Sequence, residues 1–229
     1  MAIEWSVFTQ NPLFGFLLGT ASFCFGQWLY QKTKNPICNP LMVASACVIM
    51  FLLVFNIPVA HFNEGGAIFE LFMIPATACL GLTIYRVLPY FKKYWLPIVV
   101  GCVVGCITVL STTLLLCEIF GLSDQITQTL FPKSVTTPIA MSISATRGGN
   151  PNLTSAAVTV VGVFGGIFAP VILNAFRITD PVAQGVAIGT SSHAVGTARA
   201  LLLGEVQGAM SGVAMALAAV VTVFLSMVM

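Results

Sequence analysis

Two segments in the second half of the chain carry most of the residue types that could do chemistry. The first reads Phe131-Pro132-Lys133-Ser134-Val135-Thr136-Thr137-Pro138 and continues through Ser142 and Ser144 to Arg147-Gly148-Gly149-Asn150-Pro151. The second reads Gly189-Thr190-Ser191-Ser192-His193-Ala194-Val195-Gly196-Thr197-Ala198-Arg199. Each mixes cations and hydroxyls with helix-breaking residues, and each precedes a clean apolar stretch. Cations beside hydroxyls and freed backbone amides suit an anion, above all a carboxylate that accepts several hydrogen bonds. The candidates are Lys133, Ser134, Thr136, Thr137 and Asn150 in the first segment, and Thr190, Ser191, His193, Thr197 and Arg199 in the second.

Several of these have an alternative role. Lys133 either lines a substrate site or snorkels to the headgroups beside a Pro turn. Arg147 precedes a strong turn signal and reads as an interfacial anchor, while Asn150 either contacts substrate or caps the next helix. His193 lies between Gly189 and Gly196, where unwinding is easy, so it either carries a coupling proton or bonds a backbone carbonyl between helices. Arg199 either clamps substrate or pairs with Glu205.

The elements that must hold these residues are membrane helices. Of 229 residues 58% are hydrophobic and only 7% charged, with a mean hydropathy of +0.99, against about 25% charged in an average soluble domain. Apolar stretches run at about 12–30, 41–60, 67–85, 95–117, 126–145, 153–174, 181–203 and 209–229, most long enough to cross a bilayer. Short polar connectors separate them, including 32–36, 61–66, 86–94 and 204–207. The expected architecture is therefore a single all-α integral membrane domain over 1–229. Residues 1–125 supply four apolar spans, and 126–229 supply two units of broken segment plus helix. About six helices span fully and two are broken or re-entrant.

Residues 1–11 contain Glu4 but no Lys or Arg, so the basic region of a cleaved signal peptide is not expected. Lys32, Lys34, Arg86, Lys92 and Lys93 fall in the first and third connectors, which the positive-inside rule puts in the cytoplasm, with both termini outside. A bacterial inner membrane is the expected setting. Residues 1–125 hold five basic and five acidic groups; beyond them Lys133, Arg147, Arg177 and Arg199 face only Asp180 and Glu205. A charge near mid-bilayer costs at least ~2.5–3.5 kcal/mol and is tolerated mainly where it lines a cavity.

A shift of about 54 residues lays Thr136-Thr137 on Thr190-Ser191 and overlaps the helices that follow. This is a weak internal repeat. Re-entrant segments would make the two units inverted; fully crossing ones would make them parallel. Arg147 favours crossing and Arg177 favours re-entry. Gly-x-x-x-Gly pairs such as Gly15/Gly19, Gly101/Gly105, Gly162/Gly166, Gly185/Gly189 and Gly208/Gly212 mark close helix contacts, internal or with a second copy or partner.

Seven cysteines lie within residues 1–125 without metal-ligand companions and read as small apolar packing residues. No Gly-x-Gly-x-x-Gly, Walker A, His-Glu-x-x-His or Gly-x-Ser-x-Gly pattern occurs. An enzyme, a cofactor, a metal site and a nucleic-acid partner are not expected.

The Lys-Ser-Val-Thr-Thr-Pro block at 133–138 and the Ser-His-Ala-Val-Gly-Thr-Ala-Arg block at 192–199 resemble the LrgB/CidB family. Phe62-Asn63-Glu64-Gly65-Gly66 and Pro75-Ala76-Thr77 are similar too, so the resemblance covers nearly the whole chain. It implies two functional classes. One is an antiholin-like regulator of murein hydrolase export and lysis, acting with a small LrgA/CidA-like membrane protein. The other is carriage of small carboxylates of the glycolate, glycerate, pyruvate or lactate class: the plastid members move glycolate and glycerate, and some bacterial pairs take up pyruvate. The cationic, hydroxyl-rich half favours carriage, with Lys133 or Arg199 on the carboxylate, Thr136, Thr137, Thr190 and Ser191 on the 2-oxygen, and His193 as proton carrier.

Overall fold

The computed structural model describes residues 9–33, 38–86 and 88–228. Residues 34–36 of the first expected connector, Glu4, and the side chains of Ala76 and Thr77 lie outside that description. Among the described residues there is no strand. The helices are α1 (Pro12–Thr33), α2 (Pro40–Val54), α3 (Val59–Arg86), α4 (Leu88–Ile119), α5 (Asp124–Leu130), α6 (Thr137–Thr146), α7 (Pro151–Ala175), α8 (Pro181–Leu203) and α9 (Glu205–Val228). Of these α1, α4, α7 and α9 are long and apolar enough to cross a membrane. The chain is thus an all-α multi-pass membrane protein.

It divides into two units, residues 1–79 and 80–229. In the first, α2 starts at a capped Asn39–Pro40 step, with the Asn39 side chain accepting from the Leu41 N–H at 2.9 Å. Phe14 of α1 packs on Val48 and Leu52 of α2. The expected connector 61–66 is instead helical, inside α3. Its glycine explains this: Gly65 lies so close to the backbone of Pro12, Gly15 and Phe16 that a Cβ there would sit about 2.5–2.6 Å from them. Polar residues at 61–66 are thus packed helix rather than loop, and the hydroxyl of Thr9 pairs with Nδ1 of His61 at 3.0 Å. The connector expected at 86–94 is likewise mostly helical, with a kink at Tyr94 before Pro97.

The second unit is built on three crossing helices. α4 runs alongside α9, with Ile98 and Cys102 against Met210 and Ala214 near one end and Leu110 and Leu114 near Val223 and Leu225 toward the other. α7 runs opposite to α9. Its start is tied to the end of α9 through Arg147, which donates to the Ser226 carbonyl at 2.5 Å. Near its other end Leu173 packs on α8.

Both broken segments turn back on themselves. The first leaves through Gln128 and Thr129 and returns beside them: Arg147 Nε donates to the Gln128 side chain at 2.5 Å, and the Asn150 N–H donates to the Thr129 hydroxyl at 2.8 Å. Between those points it descends to Val135 and Ala140, which pack on Val158 of α7. Asn150 to Val158 is about 12 Å along a helix axis, less than half of a ~30 Å hydrocarbon core. The second segment reverses at His193 (φ 42°, ψ −139°). Before the reversal α8 descends beside α9, with Gly185 against the Gln207 carbonyl and Gly189 against that of Ser211. After it, Thr197 bonds Ser211 at 2.9 Å and Leu201 packs at Gly208. In a straight helix, residues 188 and 196 would be about 12 Å apart. Yet a Cβ on Gly196 would lie 3.0 Å from the Ile188 side chain.

Residues 124–228 are therefore two re-entrant hairpins, each followed by a crossing helix, entering from opposite sides. The 54-residue shift lays the start of α7 on the start of α9, as an inverted repeat requires. The Gly-x-x-x-Gly glycines of this unit for which close neighbours are described (Gly101, Gly105, Gly162, Gly185, Gly189 and Gly208) meet residues of the unit itself.

Candidate functional site at the meeting of two hairpins

The hairpin tips meet near the middle of α7. Val135 from the first packs on Val158, and Nε2 of His193 from the second bonds the Val158 carbonyl at 2.8 Å. A carbonyl only accepts, so Nε2 carries the proton. Gly162 makes room for the imidazole one turn further on, since a Cβ there would be 2.5 Å from its Cε1. Gly165 does the same for Ser192. A non-glycine residue held at φ 42° costs on the order of 1–3 kcal/mol. That cost is offset by local bonds, including the Thr197 hydroxyl donating to the His193 carbonyl at 2.9 Å.

Each reversal ends a half-helix inside the membrane and begins another. α6 starts at Thr136-Thr137 with Pro138 in its first turn, and the returning half of α8 starts just after His193. The first N–H groups of a helix lack intrahelical acceptors, and the N-terminal end carries partial positive charge. Two such ends at the level of Val158 to Gly162 make that zone suited to an anion.

Between the tips lies a cavity of about 10 Å³, lined by Phe131, Pro132, Ser134, Val135, Thr190, by Cys106, Val109 and Leu110 of α4, and by Thr222 of α9. That is space for about one water, so this is a closed arrangement. It brings together Ser134 and Thr190, one hydroxyl from each broken segment. On its other side Thr190 lines a larger groove of about 640 Å³ between α4 and α8, with Gly101, Gly105, Val186 and Ser191 among its walls and Asp180 at one end. Thr190 and Val109 line both, so Thr190 divides groove from cavity.

The remaining candidates sit as follows. Thr136 and Thr137 are half-buried at the start of α6, and Lys133 is half-buried at the tip between Pro132 and Ser134. None of the described residues lining the cavity is charged, and neither Lys133 nor Arg199 is among them. Ser191 bonds back to the Ala187 carbonyl at 2.8 Å and reaches Ser192 at 3.0 Å. Asn150 caps α7, its side chain accepting from the Asn152 and Leu153 N–H groups, away from the tips. Glu205 pairs with Arg86 at 3.9 Å, both exposed.

Two features had no signal in the residue pattern. Cys106 and Thr222 reach the cavity from crossing helices, where they read as ordinary apolar-face residues. A knot of hydroxyls closes the base of the first hairpin: Thr154 reaches the Thr129 carbonyl at 3.0 Å, Ser144 at 2.7 Å and the Asn150 carbonyl at 3.0 Å. Arg147 completes it by lying over the Phe131 ring, 4.4 Å from the centroid.

Residues 20–229 match the LrgB-like family. The chain is 36% identical over 195 residues to the uncharacterized protein YwbG of Bacillus subtilis, covering 85% of this chain and 86% of that one. It is 34% identical over 216 residues to proteins named antiholin-like protein LrgB from Bacillus cereus and Bacillus anthracis, covering 94% of each. No solved structure matches it. With the family match running over residues 20–229 and so including both hairpins, the chain belongs to the LrgB-like family.

Proposed function

We propose that this protein carries small monocarboxylates bearing an oxygen on C2, such as glycolate, glycerate, pyruvate or lactate, by alternate opening of its two hairpins. The observation that carries this reading is the meeting of two hairpins, entered from opposite faces, at a cavity to which each contributes one hydroxyl. Parting one tip opens the site to one side while the other stays closed, which is the logic of alternating access. The helix ends and hydroxyls supply donors to the acid, Lys133 and Arg199 supply positive charge as the tips move, and His193 is the proton carrier. The face with Arg86, Lys92, Lys93 and Arg177 is cytoplasmic by the positive-inside rule, which leaves the C-terminus outside a bacterial inner membrane. An LrgA/CidA-like membrane protein is the proposed partner.

The test is uptake of labelled pyruvate, glycolate and lactate into proteoliposomes, with and without an LrgA-like protein. Accumulation of at least one acid is expected, reduced by His193→Ala and by Arg199→Ala. Uptake unchanged in both variants would sink the site assignment. A second reading, an antiholin-like regulator of lysis, draws on the names of the relatives. No uptake of any acid alongside altered lysis in cells would favour it.

A further inference from the structure

The cavity between the tips has four polar lining residues, each from a different element: Ser134 from the first hairpin, Thr190 from the second, Cys106 from α4 and Thr222 from α9. Two of these elements are the gates themselves. The other two cross the membrane and are packed along each other through Ile98, Cys102, Met210 and Ala214, so they do not depend on either tip. Thr222 is 3% exposed and Cys106 4%, and the Cys106 thiol donates to the Ala218 carbonyl of α9 at 3.8 Å, one turn before Thr222. The surrounding stretch of α9, Ala218-Ala219-Val220-Val221-Thr222-Val223, is otherwise apolar. Valine would fill the same volume at 222, so what threonine adds to the cavity wall is a hydroxyl. The position differs from Thr108, Thr112 and Thr113 of α4, whose hydroxyls are all bonded back to carbonyls of their own helix at 2.6–3.0 Å.

We infer that Thr222 and Cys106 form the stationary wall of the substrate site, and that the Thr222 hydroxyl recognises the C2 oxygen of the carried acid. This rests on the transport reading above. A hydroxyl both donates and accepts, so it serves a 2-hydroxy or a 2-oxo acid alike. An acid without that oxygen forgoes the hydrogen bond that the hydroxyl offers, which is how a polar pocket disfavours a deoxy analogue.

Two measurements test this. In proteoliposomes, Thr222→Val is expected to raise the KM for glycolate about tenfold, the scale of one lost hydrogen bond. Competition by acetate should stay unchanged, and Thr222→Ser should restore the KM. In detergent, a variant retaining Cys106 as its sole cysteine is expected to be alkylated by N-ethylmaleimide more slowly in saturating glycolate than in acetate. Thr222→Val should remove that difference. An unchanged glycolate KM in Thr222→Val, or Cys106 alkylation indifferent to glycolate, would overturn the inference. Wild-type vesicles that accumulate no acid would instead overturn transport, and the alkylation arm, which needs no transport, would still decide whether the acid binds beside Cys106.

Discussion

Alanine at Gly162 is the sharpest probe of the tip-to-helix contact. Its Cβ would stand 2.5 Å from His193 Cε1, 2.8 Å from Nε2 and 2.9 Å from the Val195 Cβ. Carbon atoms pack comfortably at about 3.5–4.0 Å, so the imidazole must retreat by about 1 Å. It cannot do so and keep its 2.8 Å bond to the Val158 carbonyl. Losing that bond costs about 0.5–1.5 kcal/mol, and overpacking adds about 1–3 kcal/mol. The expected loss is about 2–4 kcal/mol, or roughly 4–16 °C in melting temperature for a chain of this size, read by fluorescence-monitored unfolding in mild detergent. Gly66 is the control: nothing lies within 4 Å of its added Cβ, so Gly66→Ala should be neutral or stabilising by up to ~1 kcal/mol. A double-mutant cycle isolates the cause. Most of the loss should vanish on a His193→Ala background. A Gly162→Ala variant that melts with wild type, or that costs the same without the imidazole, would refute the contact.

Other outcomes follow from the first hairpin and its route. Arg147→Ala removes two hydrogen bonds and a ring contact at once and should lower stability by about 2–4 kcal/mol, measured in the same melt, with Arg147→Lys recovering only part. Thr154→Val keeps volume but deletes a hydroxyl that reaches three partners; a loss of about 1–2 kcal/mol is expected. Single cysteines replacing Gly148 and Phe176 in a cysteine-free protein should react with an impermeant maleimide from opposite sides of sealed vesicles, because α7 crosses between them. Cysteines replacing Asp124 and Gly148 should react from the same side, because the first hairpin returns to where it entered; opposite-side labelling of that pair would exclude re-entry.

Hydropathy along the chain determines that these helices live in lipid, because the ~30 Å apolar slab asks a local question that about 20 residues answer by themselves. Pro and Gly likewise mark where helices stop: the Pro132–Pro138 break and the cap at Asn150 are legible because fixed φ and a short side-chain acceptor act within a few residues. The chemistry-bearing residues at 133–137 and 190–199 stand out for the same reason, since hydroxyls and cations are costly in hydrocarbon. What no local rule supplies is the sense of each break. The residues 61–66 look like a loop and are helix, because Gly65 fits against Gly15 of another helix. The segment 181–203 reads as broken, but that it turns back at His193 is set by the contacts with Val158 and Thr197 and the room at Gly162. Cys106 and Thr222 join the site only once α4 and α9 lie side by side. Residue pattern therefore names the parts that cannot rest in lipid, while tertiary packing decides that both turn back and meet, through contacts such as Thr197 to Ser211, 14 positions apart, and Thr190 to Cys102, 88 apart.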